Sequence, residues 1–256
     1  MRVKDLRVLI TGAASGAGRT IAKMLADAGA RVFVSDISGV SVADLSNARP
    51  DIRVVQADAG NEAEIDDMFT QAERHLGGLD VLINNAGIAG PTMSAEDISL
   101  TDWAKTFDVN VTGHFLCARR AIPLMKTQKF GSIVNVSSMS AVVGLPMRPP
   151  YAVSKAAVLS LTQNLARELG PFNIRVNAIL PGLIEGDRVR RVIAAKAKAL
   201  SISEEEYEAE LLRYTSMRTM VTAEDIASMA LFLASDASRR VSDQMIAVDG
   251  HLQYEV

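Results

Sequence analysis

The chain has 256 residues, of which 48% are hydrophobic and 22% are charged, and its formal net charge is −3. These values are typical of a globular protein with a substantial core, and the slight negative charge disfavours nucleic acid and anionic membranes as partners. No apolar run approaches the ~20 residues of a membrane span, no signal peptide precedes the first strand, and a single cysteine excludes an intrachain disulfide, so we expect a cytoplasmic protein.

The first predicted elements form a βαβ unit. A strand from Arg7 to Thr11 ends at a glycine-rich turn, GAASGAG, which passes into a helix and then into a second strand from Arg31 to Asp36. Glycine permits a tight turn and a close approach of the backbone to a pyrophosphate, and the helix N-terminus offers free N–H groups. A glycine pattern between a strand and a helix therefore predicts a dinucleotide site.

Asp36, at the end of the second strand, indicates which dinucleotide is bound. Its carboxylate can accept hydrogen bonds from the ribose hydroxyls of NAD, and it would repel the extra phosphate of NADP. The neighbours Ser35 and Ile37 are not basic, which favours NAD. The alternative is that Asp36 is an ordinary turn residue at a strand end.

The next elements continue the alternation. Residues 38–50 predict a short helix and loop, Arg53 to Ala57 a third strand, Asn61 to Leu76 a helix with an Asn cap, and Val81 to Ile83 a fourth strand. This strand runs into Asn84-Asn85-Ala86-Gly87. Small residues and amides just past a parallel strand fit the ligand crevice of a doubly wound sheet, although such residues also favour plain turns.

A long helix is predicted from Thr101 to Met125. Cys117, in HFLCARRAI, is expected at a buried position rather than as a catalytic thiol. Asn110 lies mid-helix among apolar residues, and an amide is costly to bury unpaired, so it either faces solvent or is held for a purpose. The fifth strand, Ser132 to Val136, delivers Ser137 and Ser138 to its carboxyl end.

The stretch that ends at Lys155 carries a candidate proton-transfer site. Pro149 and Pro150 favour the first turn of a helix, so Tyr151 is expected to open one, and Lys155 then shares its helix face. A nearby ammonium favours a phenolate and lowers the pKa of a tyrosine, while the Ser138 hydroxyl could hold a substrate oxygen. By itself, the spacing also fits an ordinary amphipathic helix.

The remaining elements complete the predicted fold. A sixth strand, Arg175 to Leu180, is followed by a helix from Asp187 to Leu200 and by a second helix opened by a capping box at Ser203 and Glu206. Thr222 and Asp225 open another capped helix, and Met245 to Val248 is the last strand. The alternation predicts an α/β fold, a doubly wound parallel sheet of about seven strands with helices on both faces. We expect one domain over 1–256, with a helical lid at about 183–221 after the sixth strand.

Taken together, these motifs and their order resemble those of the short-chain dehydrogenase/reductase family. The resemblance covers essentially the whole chain, and it implies a Rossmann-type fold. The matching positions are Thr11 to Gly18, Asp58, Asn84 to Gly87, Asn110, Ser138, Tyr151, Lys155, Pro181 and Gly182.

The resemblance implies a role for each catalytic position. Tyr151 would be the general acid/base, and Lys155 would lower its pKa and hold the nicotinamide ribose. Ser138 would bind the substrate oxygen, and Asn110 would bind a water molecule that links Lys155 to solvent. The reaction implied is hydride transfer between NAD(H) and a secondary alcohol or ketone.

The resemblance also implies where the cofactor binds and how the chain assembles. The cofactor-binding positions would be Gly12, Ser15, Gly16, Ala17, Gly18, Asp36, Asp58, Ala59, Asn85, Tyr151, Lys155, Pro181, Gly182 and Ile184. Family members are often tetramers that use two long helices, here around 101–125 and 151–169, so a homotetramer is expected. His251 departs from the pattern, because many relatives have glycine there, and this leaves the tetramer contacts in doubt.

The substrate is predicted only as a small alcohol or ketone, bound by Ser138, Ser140, Arg148 and Tyr151. The lid region is basic, which indicates either an anionic substrate or a solvated helix face; the residues are Arg188, Arg190, Arg191, Lys196 and Lys198. The alternatives are an NADP-dependent reductase of 3-oxoacyl thioesters and a non-catalytic NAD-binding scaffold. His75, His114 and His251 are far apart in the sequence, so no metal site is predicted.

Overall fold

Seven parallel strands form one sheet in a computed structural model that describes residues 1–253, without the side chains of 187, 188, 195, 196 and 199. The strand order is β3-β2-β1-β4-β5-β6-β7. The strands are β1 Arg7–Thr11, β2 Arg31–Asp36, β3 Arg53–Gln56, β4 Val81–Asn84, β5 Gly131–Val136, β6 Ile174–Pro181 and β7 Met245–Val248.

Helices alternate with the strands along the chain. They are α1 Gly16–Asp27, α2 Gly39–Ala48, α3 Glu62–Leu76, α4 Leu100–Phe107, α5 Gly113–Gln128, α6 Pro149–Leu169, α7 Asp187–Leu200, α8 Glu204–Leu212 and α9 Ala223–Ala234. The doubly wound parallel sheet predicted from the sequence is thereby confirmed.

Each face of the sheet is covered by its own apolar core. Val8 and Ile10 of β1 point into a core shared with α1 and α9. Leu9, between them, points into a second core that includes Phe69 of α3 and Leu116 of α5. Neighbouring residues of a strand face opposite ways, and a sheet buried on both faces therefore needs apolar residues at successive positions.

The strand order reverses next to β1, and this determines where a ligand crevice lies. β1 pairs with β2 on one side and with β4 on the other, so the connections that leave β1 and β4 run in opposite directions. In open α/β sheets, ligands bind at such a switch point, outside the carboxyl ends of the strands. The glycine-rich turn follows β1 and the Asn84–Gly87 turn follows β4, at this point of the sheet.

The helix predicted from Thr101 to Met125 is present from Leu100 to Gln128, but a π-turn interrupts its α-helical hydrogen bonding. The chain forms α4, then a π-helical turn at Asp108–Thr112, then α5, and the N–H of Gly113 donates to the carbonyl of Asp108. A π-turn inserts one extra residue into the helical ladder and is often found at functional sites.

Other boundaries differ from the prediction by one or a few residues. α6 begins at Pro149 rather than Tyr151, β3 ends at Gln56, and β4 extends to Asn84. Thr222 forms a full capping box with Asp225 at the start of α9, and Ser203 Oγ accepts a hydrogen bond from the N–H of Glu206. Among residues 1–253, no helix combines the length and the apolar composition that crossing a bilayer requires.

Candidate active site

The glycine-rich turn after β1 is hydrogen-bonded to the turn after β4. Asn85 Nδ2 donates to the carbonyls of Thr11 (3.1 Å) and Gly12 (2.7 Å). Thr11 Oγ1 accepts from the N–H groups of Asn85 and Ala86, both at 3.2 Å. Gly12 has a φ of +60°, and a Cβ there would lie 2.7 Å from Ala86 Cα. The amide nitrogen of Asn85, predicted near the cofactor ribose, thus holds the two turns together.

The N-terminus of α1 opens from this turn. Gly16, its first residue, has a φ of +54°, and a Cβ there would meet no atom within 4 Å. Ser15 precedes it with an extended backbone, an exposed side chain and no side-chain hydrogen bond to the helix N-terminus. Gly18, by contrast, is buried, and a Cβ there would lie 2.5 Å from Asn85 Nδ2. Glycine at 16 leaves room beside the helix N–H groups, whereas glycine at 18 is required by packing.

Asp36 lies at the carboxyl end of β2 beside the glycine-rich turn. It is 7% exposed, its Oδ2 accepts from the N–H of Ala14 and its Oδ1 from that of Ser38, both at 3.0 Å. A carboxylate offers about four lone-pair sites, so each oxygen keeps the capacity to accept another hydrogen bond. The two backbone donors fix the carboxylate at the rim of the crevice.

Asp58 and Ala59 follow β3 and face the π-turn. Asp58 Oδ1 accepts from the N–H of Gly60 (2.8 Å), and its own N–H donates to Glu64 Oε2 (2.8 Å). The Ala59 carbonyl packs against Gly113, where a Cβ would collide with it. The structure therefore places both predicted residues at the same edge of the sheet as Asp36.

Asn110 lies in the π-turn and is fully buried with its amide satisfied. Its Oδ1 accepts from the N–H of Ile88 (2.8 Å), and its Nδ2 donates to the carbonyl of Ile88 and to Ser154 Oγ, both at 3.0 Å. Ser154 Oγ in turn donates to the carbonyl of Tyr151 (2.8 Å). Of the two alternatives for Asn110, the solvent-facing one is wrong. Its amide joins the segment after β4 to the first turns of α6.

Lys155 is held by its ammonium group at the end of β5. Its side chain is buried, and Nζ donates to the carbonyl of Val136 (2.9 Å). Ser137 Oγ donates to the carbonyl of Lys155 (2.8 Å). A Cβ on Gly87 would lie 3.1 Å from Lys155 Nζ and 3.2 Å from Asn110 Oδ1. Lys155 and Asn110 therefore meet at Gly87.

Tyr151 lies close to two cationic side chains. Its ring centroid is 6.0 Å from Lys155 Nζ and 5.0 Å from the guanidinium carbon of Arg148. Arg148 Nη2 also donates to the carbonyl of Ala89 (3.0 Å), in the segment that follows β4. The predicted substrate residue Arg148 thus lies directly beside the predicted acid/base.

Ser138 and Ser140 form a hydrogen-bonded pair at the end of β5. Ser138 Oγ accepts from Ser140 Oγ (2.9 Å) and from the Ser140 N–H (3.2 Å). The 3₁₀ turn Met139–Ala141 packs against α6. The structure therefore brings Ser138 to the helix that carries Tyr151 and Lys155, and the Ser140 hydroxyl binds Ser138.

The carboxyl end of β6 borders the remaining side of the candidate site. Pro181 is the last residue of the strand, and the N–H of Gly182 donates to the carbonyl of Val248 (3.0 Å). A Cβ on Gly182 would lie 2.7 Å from Asp249 Cβ. Ile184 forms a parallel bridge with Val221, which closes the base of segment 183–221.

Arg190, one of the basic residues predicted for the lid, is paired with carboxylates. Arg190 forms ion pairs with Glu185 (3.1 Å) and with Glu208. This supports the solvated-face interpretation for Arg190. The side chains of Arg188 and Lys196 lie outside the described residues.

The sequence did not identify His114 as part of the site. It is 1% exposed, at the start of α5, and its Nε2 lies 3.1 Å from the carbonyl oxygen of Ala86. Burial, with the charge of Lys155 as a smaller cause, lowers the pKa of His114 to about 3. Cys117, one turn further on, is buried as predicted, and burial raises the pKa of its thiol to about 12. The signal in the sequence that could have identified His114 was its position within an otherwise apolar stretch of helix.

Comparison with known proteins gives the family. A family model described as enoyl-(acyl carrier protein) reductase, one of the short-chain dehydrogenase/reductase models, matches residues 12–252. The chain belongs to the short-chain dehydrogenase/reductase family. The resemblance drawn from the motifs is thereby confirmed.

Individual short-chain dehydrogenases/reductases match over nearly their whole length. An uncharacterized oxidoreductase of Thermotoga maritima is 38% identical over 247 residues, which are 95% of each chain. The 3-oxoacyl-(acyl-carrier-protein) reductase FabG of the same organism is 34% identical and covers 98% of this chain and 99% of its own. The crystal structure of NAD⁺-bound xylitol dehydrogenase superposes with a TM-score of 0.91 at 28% identity, covering 98% of this chain and 100% of the other.

Proposed function

We propose that this short-chain oxidoreductase transfers a hydride between NAD(H) and a secondary alcohol or ketone, with Tyr151 as the general acid/base. The observation that carries the proposal is the arrangement around α6. Lys155 Nζ is bonded to the Val136 carbonyl at 2.9 Å, one helical turn from Tyr151, and the Ser138 turn packs against the same helix. A base, a cation and a hydroxyl in this arrangement suit proton transfer at an alcohol.

The crevice fits a nicotinamide dinucleotide. The open space at Gly16 beside the α1 N-terminus suits a pyrophosphate, and the Asp36 carboxylate at the rim suits ribose hydroxyls. The residues proposed to hold the cofactor are Gly12, Ser15, Gly16, Ala17, Gly18, Asp36, Asp58, Ala59, Asn85, Tyr151, Lys155, Pro181, Gly182 and Ile184. When bound, the nicotinamide supplies the hydride exchange with the substrate carbon.

Tyr151, Lys155 and Asn110 are proposed to transfer the proton of the substrate oxygen. In oxidation, the Tyr151 phenolate takes the hydroxyl proton as the carbon loses a hydride, and in reduction the phenol returns that proton to the oxygen. The Lys155 ammonium, anchored on a backbone carbonyl, provides positive charge near the phenolate. Asn110, joined through Ser154 to the Tyr151 backbone, is proposed to hold the water that connects this proton to solvent.

Ser138 is proposed to donate a hydrogen bond to the substrate oxygen. A hydroxyl has one proton and two lone pairs, and Ser140 supplies two donors to Ser138 Oγ. The Ser140 N–H occupies one lone pair of Ser138 Oγ, and we propose that the Ser138 proton is donated to the substrate alkoxide or carbonyl oxygen.

The proposed substrate is a small molecule that reaches Tyr151 past Arg148. The Arg148 guanidinium lies 5.0 Å from the Tyr151 ring centroid, so a substrate oxygen at Tyr151 comes within reach of its charge. Segment 183–221 is proposed to act as the lid, because its two helices follow the strand end that borders the site.

A second function remains in view, the NADP-dependent reduction of 3-oxoacyl thioesters. The 34% identity to FabG favours it, whereas the acidic side chain at position 36 opposes it. A non-catalytic NAD-binding scaffold has no chemical need for a buried lysine beside a tyrosine. The two catalytic alternatives differ in cofactor and in substrate, so one assay can separate them.

The experiment is a screen of secondary alcohols with NAD and with NADP, read by absorbance of the reduced cofactor, alongside 3-oxoacyl thioesters with NADPH. We expect turnover with NAD, and we expect Tyr151→Phe to lower kcat by at least about 10²-fold because proton transfer is lost. Calorimetric titration with NADH should give nearly the same affinity for the wild type and for Tyr151→Phe, because the variant keeps the aromatic ring and Lys155. Normal turnover in Tyr151→Phe would refute Tyr151 as the general acid/base. Activity confined to 3-oxoacyl thioesters with NADPH would instead support the second function.

A further inference from the structure

His114 is a buried polar side chain that the proposed mechanism does not use. Its Nε2 faces the Ala86 carbonyl at 3.1 Å, and because a carbonyl only accepts, Nε2 carries the proton. Among the described residues, Nδ1 has no hydrogen-bond partner although it is buried. A buried acceptor without a donor costs about 1–3 kcal/mol, so an apolar residue would fill this position more favourably. The bond to Ala86 is the contact that distinguishes histidine from an apolar residue.

The Ala86 peptide lies between the two halves of the proposed site. On one side, Ala86 Cα is the atom that a Cβ on Gly12 would meet first, and the Ala86 N–H donates to Thr11 Oγ1 (3.2 Å). On the other side, the next residue, Gly87, packs against Lys155 Nζ and Asn110 Oδ1. A movement of this peptide would therefore shift the glycine-rich turn relative to Lys155.

His114 is itself firmly placed. Its backbone carbonyl accepts from Asn84 Nδ2 (3.3 Å), which also donates to Asn135 Oδ1 (2.9 Å). Asn135 Nδ2 continues the chain of bonds to Thr162 Oγ1 in α6 (2.9 Å). All of these side chains are buried, so their hydrogen bonds fix the backbone that carries the His114 imidazole.

We propose that His114 is a positioning residue, whose Nε2–H holds the Ala86 carbonyl and so sets the Asn84–Gly87 turn between the cofactor crevice and Lys155. The contacts of His114 with Ala86 and of the turn with its neighbours do not depend on the reaction. The consequence for cofactor binding rests on the proposed function.

The test compares His114→Leu, which removes the donor, with His114→Gln, whose side-chain amide nitrogen lies about as far from Cα as Nε2. Cys117→Ala is the control, because it removes buried volume from the same helix without touching the turn. The amide hydrogen-exchange rates of peptides covering residues 84–90 measure the stability of the turn. Calorimetric titration with NADH measures the affinity of the crevice for the cofactor.

We expect His114→Leu to raise exchange of residues 84–90 and to weaken NADH binding at least tenfold, and His114→Gln to stay within about threefold of the wild type in both. Cys117→Ala should lower the melting temperature and change neither readout. The proposal is overturned if His114→Leu matches the wild type, or if His114→Gln and Cys117→Ala are impaired as much as His114→Leu. A wild type that binds no nicotinamide dinucleotide would refute the proposed function, while the exchange experiment would still decide the role of His114.

Discussion

Asp36 is the residue at which NAD and NADP are most directly distinguished. Its carboxylate is fixed by backbone N–H groups of Ala14 and Ser38 at 3.0 Å each, so it cannot swing away from a ribose phosphate. A fixed negative charge at this point disfavours a second negative charge by Coulomb repulsion. Cofactor preference should therefore depend on this one side chain.

We predict that Asp36→Ser lowers kcat/KM with NAD by about tenfold or more and raises it with NADP, because the variant loses an acceptor for the ribose hydroxyls and removes the repulsion. Steady-state kinetics with both cofactors measures the change. Asp44→Ser, which removes an exposed carboxylate paired with Arg19, is the matched control. Unchanged preference in Asp36→Ser would contradict the assignment of NAD through this residue.

The burial of His114 predicts how the free energy of unfolding depends on pH. In the folded protein, burial lowers its pKa to about 3, from an ordinary value of 6.5. Between these pH values the unfolded chain binds a proton that the folded chain does not, so the stability contributed by neutral His114 is complete above about pH 6.5 and falls as the pH drops towards 3.

At pH 5 this residue should therefore lower the free energy of unfolding by about 2 kcal/mol relative to pH 7.5. His114→Gln lacks the titrating group, so its stability should fall less over the same interval. Urea unfolding of both proteins at the two pH values measures the difference. Parallel pH dependence in wild type and variant would mean that His114 is already charged, or already accessible, in the folded state.

At the scale of elements, the periodic pattern over residues 101–125 predicted one helix, and the chain is helical there, but a π-turn divides the helix into α4 and α5. The apolar positions on either side of the insertion still recur at helical spacing, so periodicity alone does not show the extra residue. The turn exists where the Asn110 amide binds both backbone atoms of Ile88 and Ser154 Oγ. These partners lie in other elements, which a local pattern does not contain.

Other elements were predictable because their signals are local. Asn61 caps α3 through its Oδ1, and Gly77 ends that helix in a left-handed conformation with a φ of +75°. Pro149 and Pro150 occupy the first turn of α6. Capping residues and prolines act within one turn of the helix end, so a sequence reveals them directly.

At the scale of the whole molecule, several apolar side chains remain exposed on the helices that precede and carry the proposed site. Leu100 of α4 is 80% exposed, Phe115 of α5 is 46% exposed and Val153 of α6 is 44% exposed. Large exposed apolar side chains on neighbouring helices are candidates for contacts between subunits. These are also helices through which family members are expected to assemble, so we propose a homotetramer.

We predict that the wild type sediments at about four times its chain mass of 27.4 kDa, and that Phe115→Glu lowers the mass because a buried unpaired carboxylate destabilises the interface. Phe130→Glu, a charge at an exposed phenylalanine beyond the end of α5, is the control and should leave the mass unchanged. Analytical ultracentrifugation measures both. A monomeric wild type, or equal effects of the two substitutions, would refute this interface.

The sequence by itself determined the order of the strands and helices, the family and which residue types gather at the carboxyl edge of the sheet. It could do so because short apolar runs, helical periodicity, glycine turns and helix caps are properties of neighbouring residues. Tertiary structure alone decided which of those residues bond to one another. Asn85 binds the glycine-rich turn, Ser140 pairs with Ser138, and His114 reaches Ala86, 28 residues away. Apart from the short link between the two serines, these bonds join segments far apart in the chain, and their geometry exists only once the sheet has brought its strand ends together.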